Sequence, residues 1–94
     1  MTDDLYALKV TITGRVQGVN FRAWTLAEAE KLGLDGWVRN EDDGSVAALI
    51  GGSRGKVAAM IGLLNRGPRT AFVADVTTVE ADPGDLPRGF SIRR

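Results

Sequence analysis

Within twenty residues the chain changes period. Tyr6, Leu8, Val10 and Ile12 alternate with Ala7, Lys9, Thr11 and Thr13, the period-two pattern of a strand with one face in a core. Gly14 to Asn20 then stop the alternation, and from Phe21 the apolar positions Phe21, Trp24, Ala29 and Leu32 recur at helical intervals before Gly33 supplies a stop. Polar Thr25 and Glu28 intrude on the expected apolar stripe of that helix. A strand that feeds a helix through a seven-residue glycine-containing loop must cross from the sheet to a layer packed on it.

The remaining punctuation fixes the order of elements. Leu34 to Asn40 reads as a second strand, and Asp43-Gly44 is the strongest short hairpin signal before a third, Val46 to Ile50. Gly51-Gly52 is read as a turn into a second helix, with Ser53 as candidate N-cap and Val57, Met60, Ile61 and Leu64 at i, i+3, i+4 and i+7. Gly67-Pro68 ends it. Thr70 to Val79 forms a fourth strand in which Ala71 and Val73 share one parity and Val76 has the other, so a bulge near Ala74 is expected. Asp82 to Gly89 is a turn-rich connector, and Phe90 to Arg94 is a candidate short edge strand. The order βαββαβ predicts an α+β, ferredoxin-like sandwich, with one antiparallel or mixed sheet of four to five strands and two helices on one face. The 94 residues are expected to form one domain, 1–94.

Composition removes several chemistries. Cysteine and histidine are both absent, which excludes a disulfide framework, a thiolate nucleophile, Cys-based metal sites and the commonest general base. Twelve Lys and Arg balance twelve Asp and Glu, so the field that drives non-specific binding to nucleic acid or membranes is missing. The N-terminal stretch is acidic and carries no leader-type apolar segment, and no apolar run is long enough to span a bilayer. A soluble, cytoplasmic protein with a small or locally charged partner is expected.

The loop has two readings. Gly14 and Gly18 accept positive φ, and Asn20 is the non-glycine residue that best tolerates it. A curl of that kind exposes successive N–H groups as an anion nest at the start of a helix whose dipole also favours negative charge. Arg22 in the first helical turn is unfavourable unless an anion is bound there. Alternatively the stretch is a β-to-α turn with solvated arginines. Asn40, at the carboxyl end of strand two, is either a turn-initiating residue or an amide placed to hold a water. Strands one and two are expected to run parallel on either side of strand three, which would bring the loop and Asn40 to one sheet edge about 10 Å apart. Trp24 and Trp37 read as packing, and Glu41, Asp42 and Asp43 as a polar hairpin tip, with cation binding as the alternative.

The segments "GRVQGVNFRAW" and "LGLDGWVRNEDDGSV", followed by "RGP" and "GFSIR", resemble the acylphosphatases, small βαββαβ hydrolases of carboxyl phosphates. The resemblance runs from strand one to the C-terminus. It implies that the loop Arg15, Val16, Gln17, Gly18, Val19 and Asn20 wraps a phosphoryl group with backbone amides. It further implies that Arg22 binds the phosphoryl oxygens and that Asn40 orients the attacking water. The substrate would be a small-molecule acyl phosphate, with no metal, no organic cofactor, no nucleic-acid or membrane partner, and a monomer as the expected state. Two departures from the family pattern are visible: Asn20 where a glycine, small or aromatic residue is common, and acidic residues directly after Asn40, where a threonine is common. A catalytically weak phosphate- or acyl-phosphate-binding module on the same fold is the second reading. An RNA-binding module of the same element order lacks its aromatic sheet-face signature here.

Overall fold

The computed structural model describes residues 5–94; residues 1–4, part of the acidic N-terminal stretch, lie outside the described residues. The elements follow the order β1 (Leu5–Arg15), α1 (Phe21–Lys31), β2 (Asp35–Asn40), β3 (Val46–Ser53), α2 (Arg54–Arg66), β4 (Phe72–Ala81), a 3-10 turn (Pro83–Asp85) and β5 (Phe90–Arg93). The sheet has five strands in the order β4-β1-β3-β2-β5. All neighbours are antiparallel except β2 and β5, which run parallel. Because β3 pairs antiparallel with both β1 and β2, those two strands run the same way and end at one edge. Ile12 and Asn40 pair with Val46 from opposite sides, so two strand spacings, about 10 Å, separate them.

Alternation along the strands sorts the side chains to two faces. Leu8, Val10, Ile12, Val38, Val46, Ala48 and Ile50 join Phe21, Ala29, Val57, Met60 and Leu64 in one buried cluster, which puts both helices on one face of the sheet. Trp37, Ala47 and Leu49 occupy the other face, covered in part by Ala81 and Leu86. There the guanidinium groups of Arg39 and Arg93 lie 4.7 and 5.1 Å from the Trp37 ring centre. Trp24 packs against the ring of Phe21 at 5.5 Å. Both tryptophans are packing residues.

The expected bulge in β4 exists. Thr13 pairs with Asp75 while Gly14 pairs with Val73, leaving Ala74 as the extra residue that lets Val73 and Val76 both turn toward the core. Gly14 therefore serves the sheet and not the curl that follows: its φ is 124°, and a Cβ there would stand 2.2 Å from the Phe72 carbonyl oxygen. Gly51 and Gly52 also differ from expectation, since both lie inside β3 and not in a turn. The reason is a close approach, because a Cβ on Gly51 would meet the Leu86 side chain at 2.1 Å. Ser53 stands at the N-cap of α2 but its side chain makes no capping bond.

In α1 the buried positions are Phe21, Thr25 and Ala29, so Thr25 belongs to the core stripe and does not interrupt it. Its Oγ1 is buried without a hydrogen-bond partner, a desolvation cost of about 1–3 kcal/mol. Thr25→Val keeps the shape and removes the orphaned hydroxyl. It is expected to stabilise the protein by about 1 kcal/mol, read as a higher urea midpoint at unchanged m value.

Candidate active site

The β1–α1 connection is built from positive-φ residues at two places. Gly18 has φ 74° and Asn20 has φ 67°, the latter as N-cap of α1 in the left-handed region without a capping bond from its side chain. Alternation of handedness turns successive peptide groups so that their N–H bonds converge. Among the described residues, no N–H of Val16 to Asn20 donates to another part of the chain. Two of the loop carbonyls are held elsewhere: Val19 O accepts from Thr70 Oγ1 at 2.8 Å, and Asn20 O accepts from the Trp24 N–H at 3.1 Å. The loop thus spends carbonyls on the protein and leaves its donors free, and the first turn of α1 adds more unpaired N–H groups of the same polarity.

A cavity of about 300 Å³ opens at this point, lined by Val16, Gly18, Asn20, Phe21, Arg22, Ala23, Asn40 and Ile92. Arg22 is half-buried in the first turn of α1, which contains no acidic residue. Its guanidinium makes no ion pair or hydrogen bond among the described residues. Asn40, the last residue of β2, presents a buried Oδ1 that also has no partner. Arg22 and Asn40 therefore line one cavity, a cation without an ion pair beside a side-chain amide able both to donate and to accept hydrogen bonds.

Five of the residues singled out by sequence meet at this cavity: Val16, Gly18, Asn20, Arg22 and Asn40. Three do not line it. Arg15 is the last residue of β1, paired with Phe72 and exposed. Val19 is half-buried against the main core. Gln17 turns its side chain away, its Nε2 donating to the carbonyls of Glu41 and Ser45, each at 2.8 Å. Sequence reasoning did not single out Phe21, Ala23 and Ile92 as lining residues. Ile92 arrives through the parallel pairing of β5 with β2, opposite Val38, a contact for which no local signal exists. It is 40% exposed.

The acidic residues after Asn40 do not gather around the cavity. Glu41 pairs with Arg39 at 2.6 Å, and Asp43 accepts from the Ser45 hydroxyl and N–H at 2.6 and 2.9 Å. Those bonds hold the Asp43 carboxyl below its ordinary pKa. Among the described residues no three His, Cys, Asp or Glu side chains form a group able to hold a metal ion, and no helix is long and apolar enough to cross a membrane.

The family model for acylphosphatases matches residues 8–92. The chain belongs to the acylphosphatase family. It is 58% identical to the acylphosphatase of Rhizobium meliloti, over 100% of this chain and 99% of that one. Identity to the acylphosphatase of Nocardioides is 48%, covering 93% of this chain and 87% of the relative. Among solved structures, the acylphosphatase of Bacillus subtilis superposes with a TM-score of 0.90 at 33% identity, covering 97% of this chain and all of the other. The acylphosphatase of Coxiella burnetii gives 0.87 at 33% identity, over 96% and 94% of the two chains. This member of the family is accordingly a hydrolase on a ferredoxin-like α+β fold, and the cavity between β1, α1 and β2 is its candidate active site.

Proposed function

We propose that this acylphosphatase hydrolyses a small-molecule acyl phosphate by direct attack of one positioned water, with no metal or organic cofactor. In this reading the amides of Val16 to Asn20 form a phosphate-binding loop, Arg22 chelates two phosphoryl oxygens, and Asn40 orients the nucleophile. Arg15, exposed at the loop entrance, adds positive charge beside the bound dianion. The observation that carries the proposal is the meeting of Arg22 and Asn40 at one cavity whose loop has its N–H groups free among the described residues.

The chemistry suits a chain without His or Cys. An acyl phosphate releases a carboxylate, a leaving group of low basicity, so no protein acid is needed for its departure. Phosphoryl transfer through a loose transition state asks mainly for positioning and charge stabilisation. Water oxygen bonds to phosphorus as the bond from phosphorus to the acyl oxygen breaks. The proton lost by water passes to a phosphoryl oxygen, and the products are the carboxylate and inorganic phosphate.

Hydrolysis in 18O-water tests the route. Label is expected in inorganic phosphate and none in the carboxylate, whereas label in the carboxylate would mean attack at the acyl carbon. Dialysis against a chelator is expected to leave turnover of benzoyl phosphate unchanged. A loss restored by a divalent cation would remove the metal-free mechanism. The substrate's natural setting is proposed to be the cytoplasm, and the working unit a monomer, which sedimentation at micromolar concentration checks.

A further inference from the structure

We infer that Gln17 is a positioning residue of this enzyme: its side-chain amide fastens the loop that holds the phosphoryl group to the strand end that holds the water. This inference rests on the roles proposed above for the loop and for Asn40. Gln17 lies between Val16 and Gly18, both of which line the cavity, yet its own side chain leaves the cavity. The two hydrogens of an amide NH2 allow two donations, and both are spent, on Glu41 O and on Ser45 O, each at 2.8 Å and partly buried. No N–H of that side chain remains for a ligand.

What the bonds connect is the point. Glu41 directly follows Asn40, and its own N–H donates to Ser45 O at 2.9 Å. Ser45 O therefore receives both the Glu41 N–H that closes the β2–β3 hairpin and the Gln17 amide. One side chain joins the middle of the β1–α1 loop to both rims of a hairpin 24 and 28 residues away. The sheet alone fixes Ile12 against Asn40 through Val46, but the loop begins beyond β1 and has no ladder to hold it. Thr70 Oγ1 ties its far end through Val19 O, toward the α2–β4 connection and away from Asn40. Among the described residues, Gln17 is thus the hydrogen-bonded tie between the two halves of the site. In-line attack needs the phosphorus and the water within near-attack distance, and a misplacement of about 1 Å costs on the order of 10²-fold in rate.

Gln17→Met keeps the length of the side chain and removes both donors. With benzoyl phosphate we expect kcat to fall about 10- to 100-fold. The inhibition constant for inorganic phosphate should change by less than about threefold, because the loop amides and Arg22 remain. In an Asn40→Ala background the same substitution should cost less than about twofold, since the water is already unaligned and coupled residues are not additive. Gln17→Asn, which keeps the amide but falls one methylene short of both carbonyls, is expected to behave like Gln17→Met and serves if the latter does not fold. The inference is overturned if kcat stays within about twofold of wild type in a folded variant. It is also overturned if phosphate affinity falls as far as kcat, or if the loss is equal in both backgrounds, the result for a side chain that only stabilises the fold. Failure of the underlying reading looks different: Asn40→Ala alone would then retain full activity.

Discussion

Arg22→Ala is expected to lower kcat/KM for benzoyl phosphate by about 10²- to 10³-fold while leaving the protein folded. The guanidinium supplies two parallel donors in a fixed fork, each charge-assisted bond contributing about 1.5–3 kcal/mol in a partly dry site. Charge gathers on the equatorial oxygens as the phosphoryl group departs, so part of the loss falls on kcat. Arg22→Lys should recover only a fraction, because an ammonium is a point charge without the fork. The stability of the free enzyme should move the other way. A cation at a helix N-terminus with no acidic neighbour is disfavoured by about 0.3–1 kcal/mol, so the ligand-free Arg22→Ala variant should melt at or above the wild-type temperature. Saturating phosphate should stabilise wild type more than the variant. Equal activity in the two proteins would remove Arg22 from the site.

Asn40→Ala is the second large effect. Its kcat is expected to fall about 10²- to 10³-fold, with the inhibition constant for inorganic phosphate within about threefold of wild type. That split separates aiming the water from gripping the anion. Asn40 Oδ1 makes no hydrogen bond to another protein group, so its removal breaks no bond within the fold. The inactive variant should again be no less stable than wild type. A single substitution that abolishes turnover and also unfolds the chain would count against both assignments, since neither side chain supports the core.

Much of the fold was legible because the strands alternate cleanly. Tyr6 to Thr13 and the Asp43-Gly44 turn fixed β1 and the β2–β3 hairpin, and the clash of parity between Val73 and Val76 forecast the bulge at Ala74. The errors have a common physical source. Glycine marks a need for space or for positive φ without saying which partner creates the need. Gly14 is required by the Phe72 carbonyl across the sheet and Gly51 by Leu86 above it, both distant in sequence. Thr25 reads in the sequence as a break in the apolar stripe because a hydroxyl usually seeks water, but the helix buries it where Phe21 and Ala29 flank it at i±4.

At the site, Gly18, Asn20, Arg22 and Asn40 could be picked out through the resemblance of their segments to the acylphosphatases, since the residue types alone leave a plain turn open. Their shared cavity follows from strand order. Ile92 and the Gln17 tie could not be read in the same way. One depends on a parallel pairing between a four-residue edge strand and β2, the other on a side chain reaching carbonyls whose positions only the folded hairpin defines. Where β1 ends could not be read from the residues around Arg15. Arg15, expected in the loop, closes β1 opposite Phe72 and stands outside the cavity lining.

The central claim is that free main-chain amides of one short loop, together with Arg22, grip the phosphoryl dianion independently of Asn40. Titration of the 15N-labelled protein with inorganic phosphate addresses it residue by residue. The amide signals of Val16, Gln17, Gly18, Val19, Asn20 and Arg22 are expected to shift together, in wild type and in Asn40→Ala alike, with one dissociation constant equal to the inhibition constant for that protein. Shifts that spare this loop while activity is inhibited, or that vanish in Asn40→Ala, would contradict the account.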